Sequence, residues 1–272
     1  MAILADYHVH STFSGDAKSD MEDIVKAAIS GGLKEMCFTE HNDIDFPYPK
    51  GEEGMFELNT DSYLYDLLSM RRDYGDKLKI GFGVELGMQT QIAQANADYS
   101  KEYDFDFVIF SCHVVNGKDP YYPEYFEERS EEEALREYFE CIRDNLKIYK
   151  DYDVVGHLDY AVRYAPNTDK NYSYKQYRDI IDEILETVIR DGKGLEVNTA
   201  GIRKYCLKDV HPVTDILKRY RELGGKIVTV GSDAHAEGDI GADFDRAEKA
   251  LKAAGFDYYC TFEKRVPAFH KI

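Results

Sequence analysis

Ile3-Leu4-Ala5-Asp6-Tyr7-His8-Val9-His10 opens the chain as an apolar run that ends on two histidines. Gly231-Ser232-Asp233-Ala234-His235 ends the last long apolar run in the same way. Between them, strand-like runs stop at Thr39-Glu40-His41, Val84-Glu85-Leu86, Ser111-Cys112-His113 and Gly156-His157-Leu158. Parallel strands closed into a barrel bring their C-terminal ends together on one face, and active sites are built there. The pattern therefore predicts that His8, His10, His41, His113, His157 and His235, six of the eight histidines, converge with carboxylates.

Working outward, apolar runs suited to buried strands are Ile3–Val9, Glu35–Thr39, Lys79–Leu86, Phe107–Cys112, Asp153–Leu158, Gly194–Asn198 and Ile227–Gly231. Tyr258–Phe262 offers a further short strand. Helical patterns lie between them, near Asp61–Tyr74, Gln91–Tyr103, Tyr174–Arg190, Pro212–Leu223 and Asp243–Ala254. Ser19 with Glu22, and Ser130 with Glu133, have the spacing of capping boxes, and Gly31-Gly32 ends the first helix. Repeated βα units with short connections imply parallel strands. Seven such strands predict an α/β fold, a distorted (β/α)7 TIM-like barrel with its site at the C-terminal strand ends. A doubly wound open sheet is the other topology this order allows, gathering ligands at one switch point. No linker or low-complexity tract divides residues 1–272, so one domain is expected.

Composition narrows the partners. A chain of 272 residues with 43% hydrophobic residues can bury a substantial core. A formal net charge of -18 disfavours nucleic acid and anionic membranes. Met1-Ala-Ile-Leu-Ala-Asp-Tyr7 has neither a basic region nor a long apolar core, and no stretch reaches the length of a membrane span. Cys37, Cys112, Cys141, Cys206 and Cys260 are odd in number and lack C-x-x-C pairing, so they read as reduced core thiols. A cytoplasmic location is expected. The oligomeric state is open.

One histidine at a strand end is ordinarily a hydrogen-bonded polar residue. Two at i, i+2 on a strand share a side, which sets paired imidazoles for one cation. His8 and His10 have that relation, and Asp233 and His235 repeat it. Glu85 interrupts Ile80-Gly-Phe-Gly-Val-Glu85-Leu-Gly, and a carboxylate inside an apolar strand is costly unless paired or metal-bound. His113 and His157 each follow a strand directly; His211, before Pro212, and His270, in the tail, stand outside the pattern. Six histidines with Asp16, Glu85 and Asp233 exceed the ligand capacity of one ion. Two or three divalent ions are expected, Zn, Mn or Fe, with a bridging carboxylate. Paired ions about 3.5–4 Å apart are a common apparatus for phosphate-ester hydrolysis.

His8-Val-His10-Ser-x-x-Ser-Gly-Asp16, Thr39-Glu40-His41, Gly83-Val-Glu85, Ser111-Cys-His113, Gly156-His157-Leu-Asp and Gly231-Ser-Asp233-Ala-His235 together resemble the motifs of the polymerase-and-histidinol-phosphatase (PHP) family, in the family's order. Asp45-Phe-Pro-Tyr and Gly54-Met-Phe-Glu-Leu-Asn-Thr-Asp61 resemble its stand-alone histidinol-phosphatase branch. The resemblance implies a trinuclear site. A first ion would take His8, His10, Glu85 and Asp233; a second Glu85, His113 and His157; a third Asp16, His41 and His235. Asp16 stands where some relatives carry histidine, which implies a harder third site, more tolerant of Mn or Fe. Glu40 stands where many relatives have Asp.

The implied reaction is hydrolysis of a phosphomonoester, L-histidinol phosphate to L-histidinol and phosphate, by metal-activated hydroxide, a step of histidine biosynthesis. Bound metals lower the pKa of water from about 15.7 to around 7. No covalent-phosphatase motif is apparent, so direct in-line attack is expected, with Glu85, Asp233 and His235 at the reacting centre. Arg163 and Arg203 follow strand ends and are candidates to grip phosphate. Glu40, Asp43 and Asp45 are candidates for the cationic head, and Tyr121 and Tyr122 for stacking on its imidazole. The alternatives are a PHP-family phosphoesterase acting on nucleotides or other small phosphoesters, an amidohydrolase and an idle metal scaffold. An amidohydrolase would ordinarily carry a bridging lysine where this chain has Cys112-His113, and an intact ligand set argues against the idle scaffold.

Overall fold

The computed structural model describes residues 3–167 and 172–272. Seven parallel strands follow one another in chain order around a single sheet: β1 (Ala5–Val9), β2 (Glu35–Asn42), β3 (Lys79–Gly87), β4 (Phe107–Ser111), β5 (Val154–Val155), β6 (Gly194–Asn198) and β7 (Val228–Gly231). The end of β1 meets the segment after β7: the Asp233 amide donates to the His8 carbonyl at 2.8 Å, and the His10 amide to the Ala234 carbonyl at 2.9 Å. Those two bonds draw the first and last motifs together and make the sheet a distorted barrel rather than an open one.

The helices are α1 (Met21–Ser30), α2 (Thr60–Tyr74), α3 (Ala93–Glu102), α4 (Glu131–Ile148), α5 (Arg178–Arg190), α6 (Ala200–Tyr205), α7 (Thr214–Glu222) and α8 (Phe244–Ala253). Their apolar stripes cover the barrel. On α5, Ile180, Ile181, Ile184, Leu185 and Val188 are all buried, the spacing of one helix face. Each such side chain contributes roughly 1.5–3 kcal/mol on burial. Ser130 and Glu133 form the predicted capping box of α4.

At α1 the cap is one residue later than the Ser19–Glu22 spacing implies. Asp20 accepts from the Asp23 amide at 2.9 Å, while the Ser19 hydroxyl bonds Glu237. A long-range partner thus takes the hydroxyl that the local pattern assigned to capping.

Tyr258–Phe262 is a strand, but not a barrel strand. It lies in β8 (Tyr258–Glu263), which pairs antiparallel with β9 (Val266–Lys271). His270 sits in β9 with its Nε2 2.7 Å from Thr261 Oγ1. The turn of this hairpin reaches Asp106, just before β4: the Lys264 amide donates to Asp106 Oδ1 at 3.0 Å and the Arg265 amide to its carbonyl at 2.9 Å. Tyr7 OH donates to the Phe262 carbonyl at 2.9 Å, and Phe107 packs between the Tyr7 and Phe262 rings. The hairpin therefore packs against the N-terminal strand ends, opposite the histidines.

Candidate metal centre

Glu85 is the hub. It is fully buried, and its register partner on β2 is His41. Its Oε2 lies 3.0 Å from His41 Nδ1, 3.1 Å from His8 Nε2 and 3.5 Å from His10 Nε2. Its Oε1 lies 3.0 Å from His157 Nε2 and 3.3 Å from His113 Nε2, and accepts from Ser111 Oγ at 2.6 Å. Asp233 Oδ1 stands 3.8 Å from His10 Nε2 and 3.5 Å from His235 Nδ1. Asp16 closes the ring, 3.1 Å from His235 Nε2 and 3.9 Å from His41 Nε2. The structure thus brings His8, His10, Asp16, His41, Glu85, His113, His157, Asp233 and His235 into one continuous cluster.

Backbone chemistry makes room for it. A Cβ at Gly231 would lie 2.3 Å from His8 Cβ and 2.4 Å from Glu196 Oε1, so only glycine leaves space for that pair. Asp233 is held at φ 54°, a left-handed conformation that costs a non-glycine residue about 1–3 kcal/mol. Strain retained at a carboxylate within such a cluster makes it a candidate functional position.

Outer partners aim the imidazoles. His8 Nδ1 faces Glu196 Oε1 at 2.6 Å, His113 Nδ1 faces Asp43 Oδ1 at 2.8 Å, and His10 Nδ1 faces Ser14 Oγ at 3.1 Å. With Nδ1 engaged, each ring presents Nε2 inward, the arrangement that fixes metal-ligand tautomers. Glu196 also accepts from the His157 amide at 2.8 Å and is fully buried. Sequence reasoning passed over it, although it interrupts an apolar strand as Glu85 does.

Two of the three acids considered for a cationic head are committed elsewhere. Glu40 is fully buried and accepts from Ser11 and Ser14, at 2.6 Å from each hydroxyl. Asp43 orients His113. Asp45 is exposed, 3.2 Å from Gln91. His211 is buried against Asp159, away from the cluster.

Burial and charge oppose one another throughout the cluster. Burial alone would raise the Glu85 carboxyl, but His8, His113 and His41 hold it well below the usual range. Burial would lower His8 and His113; carboxylates (Glu196 and Glu85 for His8, Asp43 and Glu85 for His113) instead raise both well above an ordinary imidazole. Against the same burial penalty His41 rises to about 9 beside Glu85 and Asp16. His10 is forced well below, by burial and then by the neighbouring His41 and His235. His8 Nε2, His10 Nε2, His41 Nδ1 and Glu85 Oε2 are buried and face one another at 3.0–3.5 Å, but none of these contacts has hydrogen-bond geometry. Convergent orphaned nitrogens and carboxylate oxygens are the donor set of a divalent cation. Among the described residues, four groupings have ligand atoms within 4.8 Å of one another: His8–His10–Asp233, His8–Glu85–His157, His41–Glu85–His113 and His10–His41–His235. The residues fit a divalent cation, with Glu85 common to two of the groupings.

A cleft of about 260 Å³ opens over the cluster. Arg163 lines it, with Nη2 2.9 Å from Asn198 Oδ1 and 3.1 Å from Asp233 Oδ2, and its Nε is buried without a partner. Its guanidinium lies over the Tyr160 and Tyr205 rings at 5.1 and 5.7 Å. Arg203 stands outside the lining and donates to the Ser232 carbonyl at 2.7 Å, behind Asp233. Its neighbour Lys204 lines the cleft instead, a cation that strand-end spacing did not single out. Phe46, Phe56, Tyr160, Tyr164 and Tyr205 supply the apolar wall; Tyr121 packs on Tyr164 from outside it.

Residues 6–200 match the PHP domain family, and the chain belongs to that family. Over nearly its whole length it is similar to the histidinol-phosphatase of Lactococcus lactis, 35% identical over 94% of this chain and 93% of the relative. A probable histidinol-phosphatase of Clostridium acetobutylicum is 34% identical over 96% and 97%. The crystal structure of the Lactococcus lactis histidinol phosphate phosphatase, complexed with zinc, L-histidinol and phosphate, superposes with a TM-score of 0.86 at 32% identity, covering 97% of this chain and 98% of that one.

Proposed function

We propose that this chain, acting as one domain over residues 1–272, is a divalent-metal-dependent phosphatase that hydrolyses L-histidinol phosphate to L-histidinol and phosphate. One observation carries the reading. The orphaned ligand atoms around Glu85 lie beneath a small cleft that also holds Arg163 and Lys204, and a protein of the same fold binds zinc, L-histidinol and phosphate. When bound, divalent ions supply Lewis-acid charge for the phosphoryl oxygens and an activated water as nucleophile.

The chain's own residues do the rest. His8, His10, Glu85 and Asp233 would hold one ion, Glu85, His113 and His157 a second, and Asp16, His41 and His235 a third; zinc, manganese or iron suit these donors. His41, close to both Glu85 and Asp16, can join either neighbouring ion. Arg163, pinned by Asn198 and Asp233, would present its guanidinium to the phosphate from the cleft wall. Lys204 adds a second positive charge, and Arg203 braces the Ser232–Asp233 backbone rather than touching substrate. Asp119 and Asp239 line the cleft and would receive the cationic head, while the tyrosines and phenylalanines exclude water around its ring. Metal-loaded protein should release phosphate from L-histidinol phosphate, lose the activity to a chelator and regain it with Zn or Mn. No release with a full metal complement would overturn the assignment.

A further inference from the structure

Two thiols sit one residue behind the metal cluster. Cys112 follows β4 and directly precedes His113, and it is buried. Cys141 lies on α4 and is half-buried. Their sulfurs are 3.8 Å apart, and both lie near the Val114 carbonyl, at 3.8 and 3.7 Å. The reading of all five cysteines as core thiols thus holds for Cys37, Cys112 and Cys260, but not for Cys141 or the exposed Cys206. Cys141 opens onto a second cavity of about 320 Å³, separate from the cleft over the metals. Glu137, Glu140 and Asp144 line that cavity, and among the described residues no lysine or arginine does.

We propose that Cys141 and Cys112 are an oxidation site, closing to a disulfide when a neutral hydroperoxide enters this cavity, and that the new bond displaces His113 from the metal cluster. The peroxide oxidises the Cys141 sulfur to a sulfenic acid and leaves as an alcohol or water. The Cys112 sulfur then attacks Cys141, its proton leaves with the sulfenic oxygen as water, and the S–S bond forms. The acidic lining disfavours anionic oxidants such as glutathione disulfide, whereas hydrogen peroxide carries no charge. Hydrogen bonds from Cys112 and from the Asn145 amide, at 3.4 Å, draw the Cys141 thiol below its ordinary range, which favours it as the first to react. A disulfide needs its sulfurs about 2.05 Å apart. Closure from 3.8 Å therefore pulls Cys112 toward α4. His113 is fixed by Asp43 at 2.8 Å and meets Glu85 at 3.3 Å, so that pull is felt directly at the cluster.

The second half of the proposal rests on His113 as a metal ligand; the first does not. Zinc-loaded protein treated with a small excess of hydrogen peroxide should give a Cys112–Cys141 crosslinked peptide two hydrogens lighter than the thiol pair, with glutathione disulfide far slower. Phosphatase activity should fall at least tenfold, with loss of bound zinc, and return with dithiothreitol and zinc. Cys141→Ser should keep full activity in the reduced state and resist peroxide. A peptide map in which Cys206 is oxidised but the 112–141 crosslink is absent overturns the site. A crosslink formed with zinc content and activity unchanged overturns the coupling to His113. Reduced zinc-loaded protein that never hydrolyses phosphate would count against the proposed function alone, since the crosslink and the zinc content are read without catalysis.

Discussion

Replacing Arg163 with Ala tests how the cleft holds phosphate. Arg163 is 8% exposed, so its guanidinium would meet the substrate in a largely water-free site. A charge-assisted hydrogen bond there contributes about 1.5–3 kcal/mol, and about 1.4 kcal/mol is tenfold in rate. kcat/KM should fall about ten- to a hundredfold. The substitution also removes the charged donor 3.1 Å from Asp233 Oδ2 and 2.9 Å from Asn198 Oδ1, leaving only the Asn198 side-chain amide on the first and the Ala200 amide on the second. Removing one partner of a buried pair costs about 3–5 kcal/mol of stability, so Tm should drop as well. Arg163→Lys separates the effects. It keeps the charge near Asp233 but not the planar fork, so it should recover most of the stability and only part of the rate. The assay is steady-state phosphate release beside metal analysis of the same samples, and the metal content of Arg163→Lys should match the parent. Kinetics within twofold of the parent in both variants would remove Arg163 from substrate binding and leave it a structural partner of Asp233.

Glu85→Gln keeps the side-chain volume but removes the charge that faces five imidazoles, so bound metal measured by elemental analysis should fall by at least half and activity should vanish; an unchanged metal count would refute the bridging role. Zinc binding to the metal-free protein at pH 7 should release at least one proton. Burial works against protonation of His41, but Glu85 and Asp16 lift it to about 9, so the imidazole is protonated at pH 7 and must lose that proton to ligate. Apparent metal affinity should therefore rise with pH up to about 9, and calorimetry in buffers of different ionisation heat that finds no proton release would contradict this. Single-turnover hydrolysis in heavy-oxygen water should place one solvent oxygen in the phosphate, and trapping of a phosphorylated residue would exclude direct attack by water.

What was legible in the sequence was whatever the metal chemistry writes at strand ends. The candidate ligands His8, His10, His41, Glu85, His113, His157 and Asp233 stand where buried strands open onto the barrel mouth, and so break apolar runs in the one place where polar residues show. Groups acting behind the ligands left weaker marks. Asp43 read as a loop acid because nothing local reveals that His113, from another strand, lies 2.8 Å away. Glu196 carried the same signal as Glu85 and was missed because no histidine accompanies it. Lys204 sits on α6, a six-residue helix too short to show periodicity, so the choice between it and Arg203 depended on helix phase. The second strand of the terminal hairpin escaped because β9 alternates weakly and is mostly exposed. The Ser19 cap failed for a tertiary reason, the bond to Glu237.

The central claim is that this metal cluster and cleft serve a phosphomonoester with a cationic imidazole head. The most direct test is kcat/KM of the zinc-loaded protein for L-histidinol phosphate beside a nucleoside monophosphate and a phosphomonoester with an uncharged head. The account predicts L-histidinol phosphate to be favoured by at least tenfold over both. Equal turnover of all three, or preference for the nucleotide, would contradict it.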